Sequence, residues 1–215
     1  HFSAILAAHR DWSGDEPSDD ARMLMAMGQK VSIVPGDEAL AKFTFAGDFA
    51  GQEMKPTFRS GSGFDVHRLV PDEELWLCGV NIPHDKGLAG HSDADVAMHA
   101  LTDAILGAMA LGDIGDHFPP SDAQWRGASS DRFLAHAITL ARELGYELAN
   151  ADVTIICEAP KIGPHKDVMR ARLAEIMAVD IERISVKATT TERLGFTGRG
   201  EGIAAQAIAS FEKIS

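Results

Sequence analysis
The sequence predicts an α/β sandwich, α+β in its layering, with a mixed sheet that carries its helices largely on one face. Three observations lead there. From residue 58 onward, short β-branched runs alternate with segments of helical period in the order β-β-α-α-β-α-β-β. Of the 215 residues, 45% are hydrophobic and 24% are charged, the composition of a chain that buries a core. No apolar run approaches the ~20 residues of a membrane-spanning helix.

The first 57 residues follow a looser pattern. Residues 2–9 open in mid-pattern, as a segment continued from an earlier stretch of chain would. Residues 11–20 are rich in Asp, Ser, Gly and Pro and read as a loop. Ser18 suits the N-cap of a short helix over 21–27, which Gly28 closes. Residues 31–34 read as a strand ended by Pro35-Gly36. So few apolar positions do not make a core, and 1–57 reads as an appendage or domain remnant beside a folded domain over 58–215.

In that domain, residues 63–67 and 75–79 read as strands. Residues 95–111 place Val96, Met98, Leu101, Ile105 and Met109 near helical spacing, with Ser92 or Asp93 as N-cap. Pro119-Pro120 begin a loop that runs to about Ala128. A helix over 131–144 has Ser130 as its cap and Gly145 as its stop. Residues 153–157 form a buried strand, Pro164 opens a helix to 177, and 184–188 and 203–211 close the sheet.

Thirty-two acidic residues against twenty basic ones give a formal charge of −12. That balance excludes nucleic acid and anionic membrane as main partners. A phosphate site in such a chain has to be made by a few placed cations, metals or backbone N–H groups. Two cysteines, Cys78 and Cys157, make no disulfide framework, and a reducing compartment follows.

Several groups of residues can carry chemistry. Asp65 and His67 sit at i and i+2 of a strand, so both point to one face, a pairing suited to Zn²⁺. Asp95, His99 and Asp103 lie at i, i+4 and i+8 of a helix. Such a stripe is ordinarily the solvated side. His99 nevertheless lies within apolar sequence, and as a third ligand it would complete an Asp-His-His set, with acidic neighbours to hold its tautomer. Gly90-His91-Ser92 precedes that helix, where free N–H groups suit a phosphate; a plain cap and a surface histidine fit equally well. Thr189, Thr190 and Thr191 end a strand, and Glu192 offers a hard oxygen to Mg²⁺ or Mn²⁺, although β-propensity explains the threonines as well. The glycine-rich stretch after them has the spacing of neither a Walker A nor a Rossmann loop. Residues 159–164 form a rigid Pro/Gly loop.

These strings in this order, above all Lys187 through Gly202, closely resemble the 2-C-methyl-D-erythritol 2,4-cyclodiphosphate synthase family over residues 58–215. That family closes a ring in the non-mevalonate isoprenoid pathway. The resemblance implies a homotrimer with interfacial active sites, zinc on Asp65, His67 and His99, and a second metal, Mg²⁺ or Mn²⁺, on Glu192. His91 and Thr190 fall at its transition-state stabilisers, with Ser92 beside His91 on phosphate. Asp113 and Gly115 fall at positions that hold the sugar or polyol part of the substrate, and Phe118 and Asp122 at further substrate-binding positions. Cys157, Ala159, Pro160, Lys161 and Gly163, with the three threonines, match the cytidine pocket; Phe196 and Arg199 lie near substrate and the trimer axis. One departure is Pro120, which stands where an aspartate is expected.

Residues 2–9, 18–21, 28–31, 34–37 and 42–44 resemble the C-terminal end of the pathway's cytidylyltransferase, with Lys42 in the place of a phosphate-contacting lysine. The resemblance thus implies the back end of a fused bifunctional protein of the bacterial cytoplasm, without cytidylyl transfer by this chain. Two rival readings use the same residues. One is a zinc-dependent phosphate-ester hydrolase. The other is a non-catalytic trimer holding an isoprenoid diphosphate among Phe64, Phe196 and Arg199 on its axis.

Overall fold
The computed structural model describes residues 2–17, 19–32, 34–36, 58–90, 93–119 and 128–214. The chain forms two compact units, His1–Glu53 and Met54–Ser215. In the first, helices α1 (Phe2–Asp11) and α2 (Asp20–Ala26) pack against each other. Asp19 caps α2, accepting from the Arg22 backbone N–H at 2.8 Å; the expected cap, Ser18, lies outside the described residues, as does Lys42. The strand expected over 31–34 is not present among the described residues there. Val31 and Val34 are both exposed, so the run has no buried face to hold it as a strand.

The second unit is built on a five-stranded sheet in the order β4-β1-β7-β5-β6. Its strands are β1 (Phe58–Pro71), β4 (Lys86–Leu88), β5 (Tyr146–Ile156), β6 (Ile184–Thr189) and β7 (Gly202–Lys213). Only β5 and β6 run parallel, and the crossover that such a pair requires is made through helix α6 (Lys166–Met177). The expected strand over 75–79 is instead a separate two-stranded hairpin, β2 (Trp76–Leu77) with β3 (Val80–Asn81). Cys78 and Gly79 at its turn take φ of 54° and 71°, which ends the strand before it can extend.

Helix α3 (Val96–Ala108) packs on β1 and β7, α5 (Ser130–Glu143) on α3 and β5, and α6 on α5 and β6. The core lies between this layer and the sheet, with Leu101, Ile105, Leu134, Val153, Ile155 and Phe211 fully enclosed. From Phe58 to Leu69 the alternation along β1 is strict. Gly61, Gly63, Asp65 and His67 turn inward, while Phe64 and Val66 remain exposed on the other face together with Ile208 of β7.

Two caps differ from expectation. Asp95, not Ser92 or Asp93, caps α3, and Ser129 rather than Ser130 precedes α5. Short helices α4 (Ile114–His117) and α7 (Gly195–Gly198), each four residues, carry no periodic signal and are additions to the expected order. Pro164 sits in a 3₁₀ turn, Gly163–His165, that leads into α6. Among the described residues no helix is long and apolar enough to cross a membrane.

Candidate functional site
The approach of α3 to β1 creates the site. A Cβ on Gly63 would lie 2.0 Å from the Ala100 carbonyl oxygen, and one on Gly61 2.2 Å from that of Ala104. Only glycine lets the helix backbone rest on the strand at these two points. One turn before Ala104, the same helix brings His99 over the strand's inward residues Asp65 and His67. His99 Nδ1 lies 3.1 Å and His67 Nδ1 3.2 Å from Asp65 Oδ2, with the two rings 5.2 Å apart.

These are the one group of three metal-capable side chains among the described residues whose ligand atoms converge, all within 4.8 Å of one another. Whether they fit a metal can be judged from two features. A tetrahedral ion with bonds of ~2.0–2.1 Å holds its ligand atoms about 3.3 Å apart, close to the two Asp65–His separations. His67 Nδ1 is also buried, and its 3.2 Å approach to Asp65 Oδ2 lacks hydrogen-bond alignment, a shortfall that a buried nitrogen ordinarily does not sustain. An ion at this point would be its partner. Three protein ligands with the remainder open is the donor set of a catalytic rather than a structural zinc.

The electrostatics agree. Burial raises the Asp65 carboxyl, but the two imidazoles and the Val66 backbone N–H outweigh it and hold the group well below the usual carboxylate range. The other members of the expected polar stripe have separate tasks. Asp95 is fully buried and accepts from the N–H groups of Met98 at 3.0 Å, Cys78 at 3.0 Å and Gly79 at 2.6 Å, tying the β2–β3 hairpin to α3. Desolvation pushes its carboxyl up against those three bonds. Asp103 accepts from the Ile114 backbone N–H at 2.8 Å, and burial raises it too. Neither is hydrogen-bonded to His99, although the Asp103 charge acts on it. Its Nε2 instead meets Ser130 Oγ at 3.0 Å, and Ser130 bonds Asp93. The sequence reading missed that pair; Ser130 was given the task of a cap.

His91 and Ser92 lie outside the described residues, between Gly90 and Asp93. The expectation that free N–H groups at the start of α3 suit a phosphate is corrected in one respect: the Met98 donor is spent on Asp95. Asp122 and Pro120 also lie outside the described residues. Asp113 caps α4 through the N–H groups of Gly115 and Asp116, while Phe118 is buried against Phe133, with ring centres 4.6 Å apart.

At the far end of β6, Thr189 closes the strand and Thr190 donates to Glu192 Oε1 at 2.9 Å. Glu192 and Arg193 both have positive φ, 52° and 63°. The loop holds that conformation because Glu158 Oε1 accepts from the Thr191 and Arg193 backbone N–H groups at 3.1 and 3.0 Å. Glu158 was not singled out in the sequence, although it lies inside the stretch Cys157, Ala159, Pro160, Lys161 and Gly163 that was. Cys157 is buried, its backbone N–H bonded to Thr189, so the stretch and the threonines form one rim. Phe196 is exposed on α7, and Arg199 is engaged by Glu201 through two bonds of 2.8 and 2.9 Å.

Similarity to known proteins follows this geometry. Residues 58–212 match the profile of the YgbB family. A curated "Bifunctional enzyme IspD/IspF" of Novosphingobium aromaticivorans is 68% identical over 98% of this chain and 55% of its own length, so the chain spans about half the length of such relatives. Among solved structures, the bifunctional IspDF from Campylobacter jejuni superposes with a TM-score of 0.70 at 39% identity, covering 99% of this chain and 58% of that one. A CDP-bound 2C-methyl-D-erythritol-2,4-cyclodiphosphate synthase gives 0.67 at 40% identity, over 72% of this chain and all of that one. The profile spans the whole sheet and every inward residue of the candidate site, and the chain belongs to the YgbB family.

Proposed function
We propose that this chain converts 4-diphosphocytidyl-2-C-methyl-D-erythritol 2-phosphate into 2-C-methyl-D-erythritol 2,4-cyclodiphosphate and CMP, as a phosphorus–oxygen lyase of the non-mevalonate pathway. The observation that carries the reading is the convergence of Asp65, His67 and His99 on one point, with no aligned hydrogen bond at the buried His67 Nδ1, in a member of this family. The attacking atom is an oxygen of the 2-phosphate, already an anion. Its bond to the β-phosphorus forms as the bond to the CMP oxygen breaks, so no side chain has to remove a proton. What the protein must supply is alignment of two mutually repelling phosphates and relief of their charge.

Asp65, His67 and His99 would hold Zn²⁺, and Glu192 would hold Mg²⁺ or Mn²⁺ with its remaining positions left to phosphate and water. Bound there, these ions supply Lewis-acid neutralisation of phosphate charge, which a chain of net charge −12 otherwise lacks. Thr190 can turn its hydroxyl from Glu192 to a phosphate oxygen, and His91 and Ser92 would donate from the other side. The rim of Cys157, Ala159, Pro160, Lys161 and Gly163 with Thr189 and Thr191 would hold the cytidine. Asp113, Gly115, Phe118 and Asp122 would border the polyol, with Phe196 and Arg199 beside the substrate.

The exposed Phe64, Val66 and Ile208 on one sheet face support assembly as a homotrimer with active sites shared between subunits, and the two free cysteines are in keeping with a place in the cytoplasm. Residues 1–57 would be the end of a cytidylyltransferase domain with its linker, as the names of the fused relatives suggest. The test is ³¹P NMR of the product formed with Zn²⁺ and Mg²⁺. Two coupled phosphorus signals and CMP, absent in His99→Ala, support the cyclase. Inorganic phosphate would replace it with the hydrolase, and binding without turnover with the non-catalytic trimer.

A further inference from the structure
His99 meets a different group at each ring nitrogen. Nδ1 faces Asp65 Oδ2 and the point where His67 converges, while Nε2 faces Ser130 Oγ at 3.0 Å. Ser130 is the first residue of α5 and is almost wholly buried. Its hydroxyl has one proton. Asp93 takes it: Oδ1 accepts from Ser130 Oγ at 2.6 Å, the shorter of the hydroxyl's two contacts. The same carboxylate accepts the Ser130 backbone N–H at 3.0 and 3.2 Å, which fixes its orientation and replaces the side-chain cap that Ser129 does not make. A hydroxyl committed to a carboxylate presents only lone pairs to its other neighbour. The contact to His99 is therefore a hydrogen bond only when Nε2 carries the proton.

We propose that Asp93 and Ser130 act as positioning residues that hold a proton on His99 Nε2 and leave Nδ1 as the atom offered to a divalent cation. The inference rests on the metal-centre reading above and adds to it the two residues that decide which nitrogen ligates. Asp65 competes for the same proton from the other side, at 3.1 Å, and would otherwise draw it onto Nδ1 and close the site. Groups that orient a ligating histidine through its second nitrogen are worth roughly 10–100-fold in metal affinity.

The test uses the full chain with ¹⁵N-labelled histidine. Loaded with ¹¹³Cd²⁺, His99 shows coupling from the metal to Nδ1 and a protonated Nε2; coupling to Nε2 overturns the proposal. In chelator competition folded Ser130→Ala binds Zn²⁺ about 10–100-fold more weakly. Unchanged affinity overturns the proposal. Asp93→Asn serves where Ser130→Ala does not fold: its amide can donate to Ser130 Oγ, freeing the hydroxyl to point at Nε2. In the metal-free protein at pH 9 the proton then moves to Nδ1, and a proton that stays on Nε2 in this variant overturns the proposal. Wild-type protein that takes up neither cation sinks the metal-centre reading alone. The metal-free spectrum still decides the relay, which falls if wild-type His99 carries its proton on Nδ1.

Discussion
Gly63→Ala is the smallest change that reaches the site without touching a ligand. The new Cβ would lie 2.0 Å from the Ala100 carbonyl oxygen and 2.9 Å from the Ala104 nitrogen, both backbone atoms of α3. Cβ contacts below 3.0 Å are essentially never tolerated, so strand and helix must separate by at least about 1 Å. His99 rides on that helix one residue before Ala100, and Asp65 lies two residues after Gly63. The separation is therefore delivered almost undiminished to the 3.1 Å contact between them. A metal site needs its ligand atoms within about 0.5 Å of the productive arrangement, so a 1 Å displacement exceeds its tolerance twofold. Overpacking of this kind costs about 1–3 kcal/mol, which for a domain of this size lowers Tm by roughly 3–10 °C. Differential scanning calorimetry with Zn²⁺ competition checks both parts. A variant that still folds, melts lower and binds Zn²⁺ at least tenfold more weakly fits the argument. One that melts like the wild type and binds Zn²⁺ equally well refutes it, because the helix would then have somewhere to go.

Asp95→Ala strands the buried N–H groups of Met98, Cys78 and Gly79, and urea unfolding is expected to show a loss of about 3–5 kcal/mol. Burial and the Glu158 charge push the Cys157 thiol up to about 11, and burial pushes Cys78 higher than its ordinary value. Neither is expected to react with a disulfide reagent at pH 7.5 until urea is added. Unfolded thiols ionise from about pH 8.5 while the native ones stay protonated, so the native state binds more protons and stability falls as pH rises from there towards 11. Urea curves at pH 8, 9 and 10 measure that slope, which Cys157→Ala should reduce. Glu158→Ala releases the Thr191 and Arg193 N–H groups that hold residues 192 and 193 at positive φ. Calorimetry is expected to show at least tenfold weaker CDP binding with an unchanged core melting transition.

How much of this was legible depended on how far apart the cooperating residues lie. Period located α3, and cap, stop and proline signals located α5 and α6, because each helix is long enough for its ends or its buried face to mark the sequence. Helices α4 and α7 are a single turn each, set by the Asp113 capping box and by a glycine of positive φ at Gly195, and a single turn has no period to read. Strand β1 runs from Phe58 to Pro71, well beyond the expected 63–67, and its Gly61 and Gly63, which in one dimension carry no strand signal, are in the fold the contact surface for α3. The same distinction governs the site. Asp65 and His67 could be paired from spacing because a strand's two-residue repeat is local. His99 could be added because it was an imidazole in apolar sequence. Asp93 and Ser130 could not, since 37 residues of chain separate them and each had an adequate local role as a cap. The fold gives the α3 cap to Asp95 and the α5 cap position to Ser129, whose missing side-chain bond the Asp93 carboxylate replaces, so that the Ser130 hydroxyl faces both Asp93 and His99. A residue's nearest plausible task in sequence thus hid its task in space, and the displaced caps are the sign by which the second task is recognised.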